Sequence, residues 1–173
     1  MRIGRQLFSL IVAALVCACA PELDWREVRV ADGGFSVMFP KKPAQAERRL
    51  PTPAGEVVMR MYSARAGEHV LGAGYADFPA AVTPALLDAM RDALAANLGG
   101  AARNERRVDV AGFSAREFEA SGTQGSGASA RPVLLRARLL SRDRRYIQLV
   151  SLGSPDGLAA ADIDLFLTSF KAE

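Results

Sequence analysis

Arginine side chains on one predicted strand could bind an anion or dock a partner. Arg136 and Arg138 alternate with apolar residues, so both guanidinium groups leave the same face of that strand. Guanidinium groups bind carboxylates and phosphates through paired hydrogen bonds. Arg136, Arg138 and Arg145 therefore have two interpretations: a docking patch for an anion or a partner, or a solvated sheet face with cross-strand partners at Glu117 and Glu119.

Metal-binding side chains are too few for a zinc site. His69 is the single histidine, and Cys19 is the single cysteine outside a predicted signal peptide. The carboxylate pairs lack the spacing of an EF-hand and are interpreted as solvated surface. These pairs are Asp88/Asp92, Asp162/Asp164 and Glu117/Glu119. We therefore predict no metal and no cofactor.

Catalytic motifs are also missing from the sequence. No Gly-x-Ser-x-Gly segment is present, and His69 directly follows a Gly67-Glu68 turn, where we expect it to face solvent. The glycines at 122, 125 and 127 precede another predicted strand rather than a helix, so they indicate a flexible hairpin loop rather than a phosphate cradle. The sequence predicts a protein that is not an enzyme.

The first residues have the pattern of a secretory signal peptide. Arg2 and Arg5 precede an apolar run, Leu7–Leu15, that is too short to span a bilayer comfortably. Val16-Cys17-Ala18 before Cys19 resembles the bacterial lipoprotein box, in which the cysteine is lipidated and becomes the new N-terminus. We therefore predict a signal peptide over residues 1–18 and a lipidated tether over residues 19–24.

Two other fates of this segment stay open. Ala18-Cys19-Ala20 also resembles an ordinary cleavage site, although cleavage there would leave Pro21, with its fixed φ and missing N–H, as the first mature residue. Retention as an uncleaved anchor is the other alternative, and the short apolar run disfavours it.

The mature chain would be nearly neutral and large enough for one domain. Without Arg2 and Arg5 it has 20 basic and 19 acidic residues, so nucleic-acid binding gains no general electrostatic support. Removal of the signal leaves 155 of 173 residues, which suffices for one core. Cys19 alone can form no internal disulfide, so the fold must depend on that core.

Apolar periodicity from residue 25 onward predicts a mainly antiparallel sheet. Gly72 and Gly74, within one of its strands, leave room for a bulky neighbour. The predicted strands are Trp25–Val30, Phe35–Phe39, Ala44–Leu50, Glu56–Ala64, His69–Phe78, Arg107–Ala111, Ala115–Ala120, Val133–Leu140 and Tyr146–Leu152.

Two helices are predicted with this sheet. Thr83 supplies an N-cap oxygen and Pro84 the first helical position, and Gly99-Gly100 ends that helix. A closing helix follows Pro155-Asp156-Gly157, and we expect its Phe166 and Phe170 to pack on the alternating rings of Phe35–Phe39. The fold class is α+β, with a sheet of about six or seven strands and two main helices in a single domain over residues 25–173.

Five segments resemble, in order, the PsbP-like and DcrB-like group of the Mog/PsbP fold. They are Gly34-Phe35-Ser36-Val37-Met38-Phe39-Pro40, Tyr75-Ala76-Asp77-Phe78-Pro79, Gly112-Phe113-Ser114-Ala115-Arg116-Glu117-Phe118, Arg145-Tyr146-Ile147-Gln148-Leu149 and Phe166-Leu167-Thr168-Ser169-Phe170. The resemblance implies an antiparallel sheet of six or seven strands with helices and, in many bacterial members, an exported lipoprotein. The middle segment departs from the usual glycine-containing form. The photosystem and Ran-binding roles of other members do not carry over.

These observations predict a non-enzymatic, membrane-anchored lipoprotein of the cell envelope. Its partners would be the membrane, through the lipid on Cys19, and an envelope protein, but no nucleic acid. In a Gram-negative source, the resemblance to bacterial lipoproteins implies the outer membrane, facing the periplasm, because Ala20 rather than Asp follows the cysteine. The alternative is a small-ligand module with a cavity between Gly72–Gly74 and the first helix.

Overall fold

The computed structural model describes residues 23–173, which form an α+β domain of ten strands and two helices. The predicted fold class is confirmed. The predicted signal peptide and Cys19 lie outside the described residues. The elements are β1 (Arg26–Val30), β2 (Phe35–Phe39), β3 (Ala44–Thr52), β4 (Gly55–Ala66), β5 (His69–Asp77), α1 (Pro84–Ala96), β6 (Arg103–Val110), β7 (Phe113–Gln124), β8 (Arg131–Arg142), β9 (Arg145–Gly153), α2 (Ala160–Thr168) and β10 (Lys171–Ala172).

The strands form two sheets. Seven antiparallel strands make the main sheet, in the order β3-β4-β5-β9-β8-β7-β6. The first hairpin leaves this sheet and pairs with the C-terminal strand in a small sheet of order β1-β2-β10. β10 is only two residues long, so no periodicity in the sequence could indicate it.

The small sheet and α2 cover one face of the main sheet with aromatic side chains. The ring of Phe166 lies 5.4 Å from that of Phe39, centroid to centroid, and Phe170 lies 5.8 Å from Phe35. All four rings are buried. The predicted packing of the closing helix is confirmed, although Phe170 follows α2 rather than belonging to it.

Helix α1 covers the opposite face, over β7 and β8. Its predicted cap is confirmed, because the Leu86 N–H donates to Thr83 Oγ1 at 3.2 Å. The prediction of a flexible loop at Gly122 is wrong. Gly122 lies within β7, and a Cβ there would overlap the carbonyl of Leu98 just past α1, so glycine is needed for this close approach.

Asp24, the last residue of the predicted tether, is bonded to the small sheet. The backbone N–H of Asp24 donates to Pro40 O at 2.8 Å, which extends the pairing of β1 with β2. In that antiparallel register, Leu23 lies beside the segment that leaves β2. Between residues 23 and 173, neither helix has the length and apolar character that crossing a membrane would require.

Candidate functional site

The sequence-predicted arginines lie on a ladder of charges across β6, β7 and β8. Glu117 on β7 is opposite Arg106 on β6 and opposite Arg138 on β8. One step along, Glu119 is opposite Arg136. Cross-strand neighbours on one sheet face are close enough for direct pairing, so the strand register itself brings opposite charges together.

Hydrogen bonds join the charged side chains of this ladder. Arg138 Nε donates to Glu117 Oε1 at 2.8 Å, and Arg106 Nη2 donates to Glu117 Oε2 at 2.6 Å. The side chains of Arg138 and Glu117 are only 10% and 15% exposed. Arg138 is therefore a buried cation whose charge is balanced within the fold.

Arg136 links the ladder to helix α2. Its Nη2 donates to Asp164 Oδ1 at 2.7 Å, and its Nε lies 3.2 Å from Glu119 Oε1. The interpretation of Asp164 as solvated surface is incomplete, because this half-exposed carboxylate joins α2 to β8.

A shallow cavity of about 280 Å³ lies between the ladder and α2. Its charged lining consists of three arginines and three carboxylates: Arg106, Arg136, Arg138, Glu117, Glu119 and Asp164. Equal numbers of each charge leave no excess cation to attract an anion. The geometry therefore favours salt bridging on this face over anion binding.

Arg145 does not belong to this group. It pairs with Arg142 at the far end of β8, whereas Arg136 pairs with Ser151, so about 20 Å of strand separates the two arginines. Arg145 makes two hydrogen bonds to Asp77, at 2.6 and 3.0 Å, and also donates to the carbonyl of Gly33. Arg145 therefore joins the first hairpin to the main sheet. The prediction that it lies in one patch with Arg136 and Arg138 is wrong.

A second charge network, which the sequence did not reveal, connects α1 to the sheet. Arg116 is buried on β7, and its Nε lies 3.3 Å from Asp88 Oδ1 and 3.4 Å from Glu105 Oε1. Arg91 also contacts both carboxylates. The pKa of Arg91 is raised, most of all by a hydrogen bond to Asp92 and further by the charges of Glu105 and Asp88, although burial opposes this. Asp88 is therefore a partly buried partner of two arginines, and its interpretation as solvated surface is incomplete.

The prediction that His69 faces solvent is wrong. His69 is 1% exposed, with Nε2 2.8 Å from Ser154 O and Nδ1 3.2 Å from Ser151 Oγ. A carbonyl can only accept, so Nε2 donates to Ser154 O, while Nδ1 and the Ser151 hydroxyl share the second hydrogen bond. Ser151 is also 1% exposed, so a substrate cannot reach this Ser–His pair. The hydrogen bond from His69 to Ser154 instead joins β5 to the loop after β9.

Gly153 provides a test of this buried contact. A Cβ at Gly153 would lie 2.6 Å from the His69 ring, so we expect Gly153→Ala to lower the free energy of unfolding by about 1–3 kcal/mol. The matched control is Gly72→Ala on neighbouring β5, where the nearest atom is 3.8 Å from the added Cβ. Urea unfolding of both variants measures the difference, and equal stabilities would contradict the position assigned to His69.

The cavity predicted at Gly72–Gly74 is not found there within the described part of the chain. Helix α1 packs over β7 and β8 instead. A Cβ at Gly74 would meet Met59 Sδ at 3.2 Å and Gln148 Cγ at 3.4 Å, so these two side chains fill the space that the glycine leaves. Further along the same face, a cavity larger than the one beneath α2 is lined by Arg65 and Arg131. No periodic pattern in the sequence joins these two arginines.

Comparisons with known proteins identify no family. No protein-family model matches the chain, and no curated protein matches it. The crystal structure of PA94, a protein of unknown function from Pseudomonas aeruginosa, is similar with a TM-score of 0.35 and 14% sequence identity, over 78% of this chain and 85% of that chain. That similarity carries no functional argument.

Proposed function

We propose that this protein is an exported lipoprotein, anchored in a membrane through Cys19, whose domain serves the cell envelope as a non-enzymatic interaction or accessory module. The signal-like N-terminus and the resemblance to the PsbP-like and DcrB-like group both favour this role. In a Gram-negative cell, Ala20 after the cysteine favours the outer membrane, with the domain facing the periplasm.

The observation that carries the proposal is how close to Cys19 the chain is bonded into the described domain. The backbone N–H of Asp24, five residues after Cys19, donates a hydrogen bond to Pro40 O. Five extended residues reach roughly 18 Å, so a lipid on Cys19 would hold the domain close to the bilayer surface. A domain kept that close suits contact with membrane-bound partners or with lipids.

The chemistry of the domain supports an accessory role over catalysis. The Ser151–His69 pair is closed off from solvent, and the carboxylates of both charge networks are held by arginines. Catalytic groups need access to a substrate, and the buried Ser151–His69 pair lacks it.

Lipid attachment at Cys19 is the first requirement of this proposal. The full chain and its Cys19→Ala variant are produced in a Gram-negative host supplied with an alkyne analogue of palmitate. We expect acyl label on the parent and none on Cys19→Ala, which would accumulate as precursor, because the thiol that accepts the lipid is gone.

Cys17→Ala is the matched control, since it removes the other cysteine and leaves Cys19 in place. It should be labelled and processed like the parent. Acyl label on the Cys19→Ala variant, or none on the parent, would exclude anchoring at this residue.

A further inference from the structure

A cavity of about 440 Å³ opens at the end of the main sheet, on the face that also carries α1. Its floor is apolar, with Val133 buried and Val70 and Leu152 partly buried. Its rim is polar and exposed, with Arg65 at the end of β4 and Arg131 at the start of β8. A site of this kind suits a ligand that has a charged group and an apolar part.

The two arginines differ from those of the charge networks because no carboxylate satisfies them. Within residues 23–173, neither Arg65 nor Arg131 lies within 4.0 Å of a carboxylate oxygen, and neither donates a side-chain hydrogen bond to a described residue. By contrast, Arg136 and Arg138 are both bonded to carboxylates. Two guanidinium groups at one rim are therefore available to an incoming anion.

The net charge of this cavity also favours an anion. Glu68 is the one carboxylate among its lining residues, against Arg65 and Arg131. The exposed amide of Gln124 adds neutral hydrogen-bonding groups to the rim. The excess of one positive charge distinguishes this cavity from the balanced cavity beneath α2, and guanidinium pairs are well suited to phosphate oxygens.

The cavity lies at the end of the domain from which the predicted tether leaves. Gly67, in the turn between β4 and β5, lines this cavity and also a neighbouring one that contains Leu23, the first residue described. Cys19 is only four residues before Leu23, a reach of roughly 14 Å. A lipid on Cys19 would therefore hold the rim near phospholipid headgroups.

We propose that this cavity binds the phosphate headgroup of an anionic phospholipid, with Arg65 and Arg131 on the phosphate oxygens and the apolar chain on Val70 and Leu152. This inference rests on the proposed function, because the anchor at Cys19 places the cavity beside the bilayer that would supply the lipid. Bound there, the headgroup would orient the domain so that this end of the main sheet faces the membrane.

The test uses a soluble probe, dihexanoyl phosphatidic acid, titrated by calorimetry into the protein as purified from the envelope in a neutral detergent. We expect Arg65→Ser and Arg131→Ser each to weaken binding tenfold or more, because each loses a charge-assisted hydrogen bond. Both arginines are exposed, so the variants should keep the unfolding temperature of the parent.

Arg48→Ser is the matched control. Arg48 is exposed, forms no ion pair within the described residues, and lies opposite Met59, roughly 20 Å along β4 from Arg65. It should bind the probe like the parent. An equal loss of affinity in Arg48→Ser would overturn the proposal, because it would show a general charge effect.

Two further ligands separate the lipid from other sources of the same chemistry. Dihexanoyl phosphatidylcholine, which has no net charge, and inorganic phosphate, which has no apolar part, should each bind at least tenfold more weakly than the probe. Equal binding of inorganic phosphate would overturn the lipid assignment and leave a simple anion site. Equal binding of phosphatidylcholine would overturn the role of the arginines.

The N-terminus of the same preparation, identified by mass spectrometry, distinguishes the two proposals. An unmodified N-terminus with specific binding of the probe would refute the anchor and retain the cavity. A lipidated N-terminus with no arginine-dependent binding would retain the anchor and refute the cavity.

Discussion

Replacement of Phe166 by Ala is expected to lower the free energy of unfolding by about 3–5 kcal/mol, which is the usual cost of deleting a buried aromatic ring. Phe166 is fully buried between α2 and the small sheet, where its ring packs on Phe39. Domains are typically stable by only 5–15 kcal/mol, so this variant should unfold at a much lower urea concentration than the parent.

Leu165→Ala is the control for this prediction, since Leu165 precedes Phe166 in α2 but is 40% exposed. Its expected cost is below about 1 kcal/mol, as for other exposed positions. If both variants unfold at the same urea concentration, α2 is not packed on the sheet through the face described above.

Replacement of Glu117 by Ala is expected to cost about 3 kcal/mol, because it leaves the buried guanidinium of Arg138 without its counter-charge. Arg106 loses the same partner. Urea unfolding measures the effect. Adding Arg138→Met to this variant removes the uncompensated charge and should recover part of the lost stability.

The control is Glu56→Ala, which breaks the exposed pair with Arg49 and should cost less than about 1 kcal/mol. An equal, small effect of Glu117→Ala would mean that Arg138 is solvated. That outcome would return Arg136 and Arg138 to the docking role that the sequence suggests, and their replacement should then change the set of captured partners rather than stability.

The sequence predicts most elements of this fold because its strands and helices carry strong periodic signals. Phe35–Phe39 alternates cleanly, and Thr83 with Pro84 marks the start of α1 through local hydrogen bonding and backbone geometry. Cross-strand partners such as Glu117 and Arg138 could also be anticipated, because both lie on adjacent predicted strands.

Features that depend on distant parts of the chain could not be predicted in this way. His69 looks like a turn residue because its neighbours in sequence are Gly67 and Glu68, yet the loop after β9 buries it. Arg145 bonds Gly33 across more than a hundred residues. Such contacts follow from the order of strands in the sheet, which local periodicity does not specify.

The same limit applies to the cavity at the end of the sheet. Arg65 and Arg131 belong to different hairpins, and only the order β4-β5-β9-β8 brings their strand ends to one cavity. Regular alternation in the sequence indicated Arg136 and Arg138 as the candidate docking residues. In the structure both are paired with carboxylates.

The most direct test of the central claim, that this domain is anchored to a membrane through Cys19, is the mass of the N-terminal peptide of the mature protein. The protein is purified from the membranes of a Gram-negative host without prior treatment that would release lipids. We expect a chain that begins at Cys19 and carries a diacylglycerol group on the thiol. An unmodified N-terminus at any residue after Cys19 would contradict it.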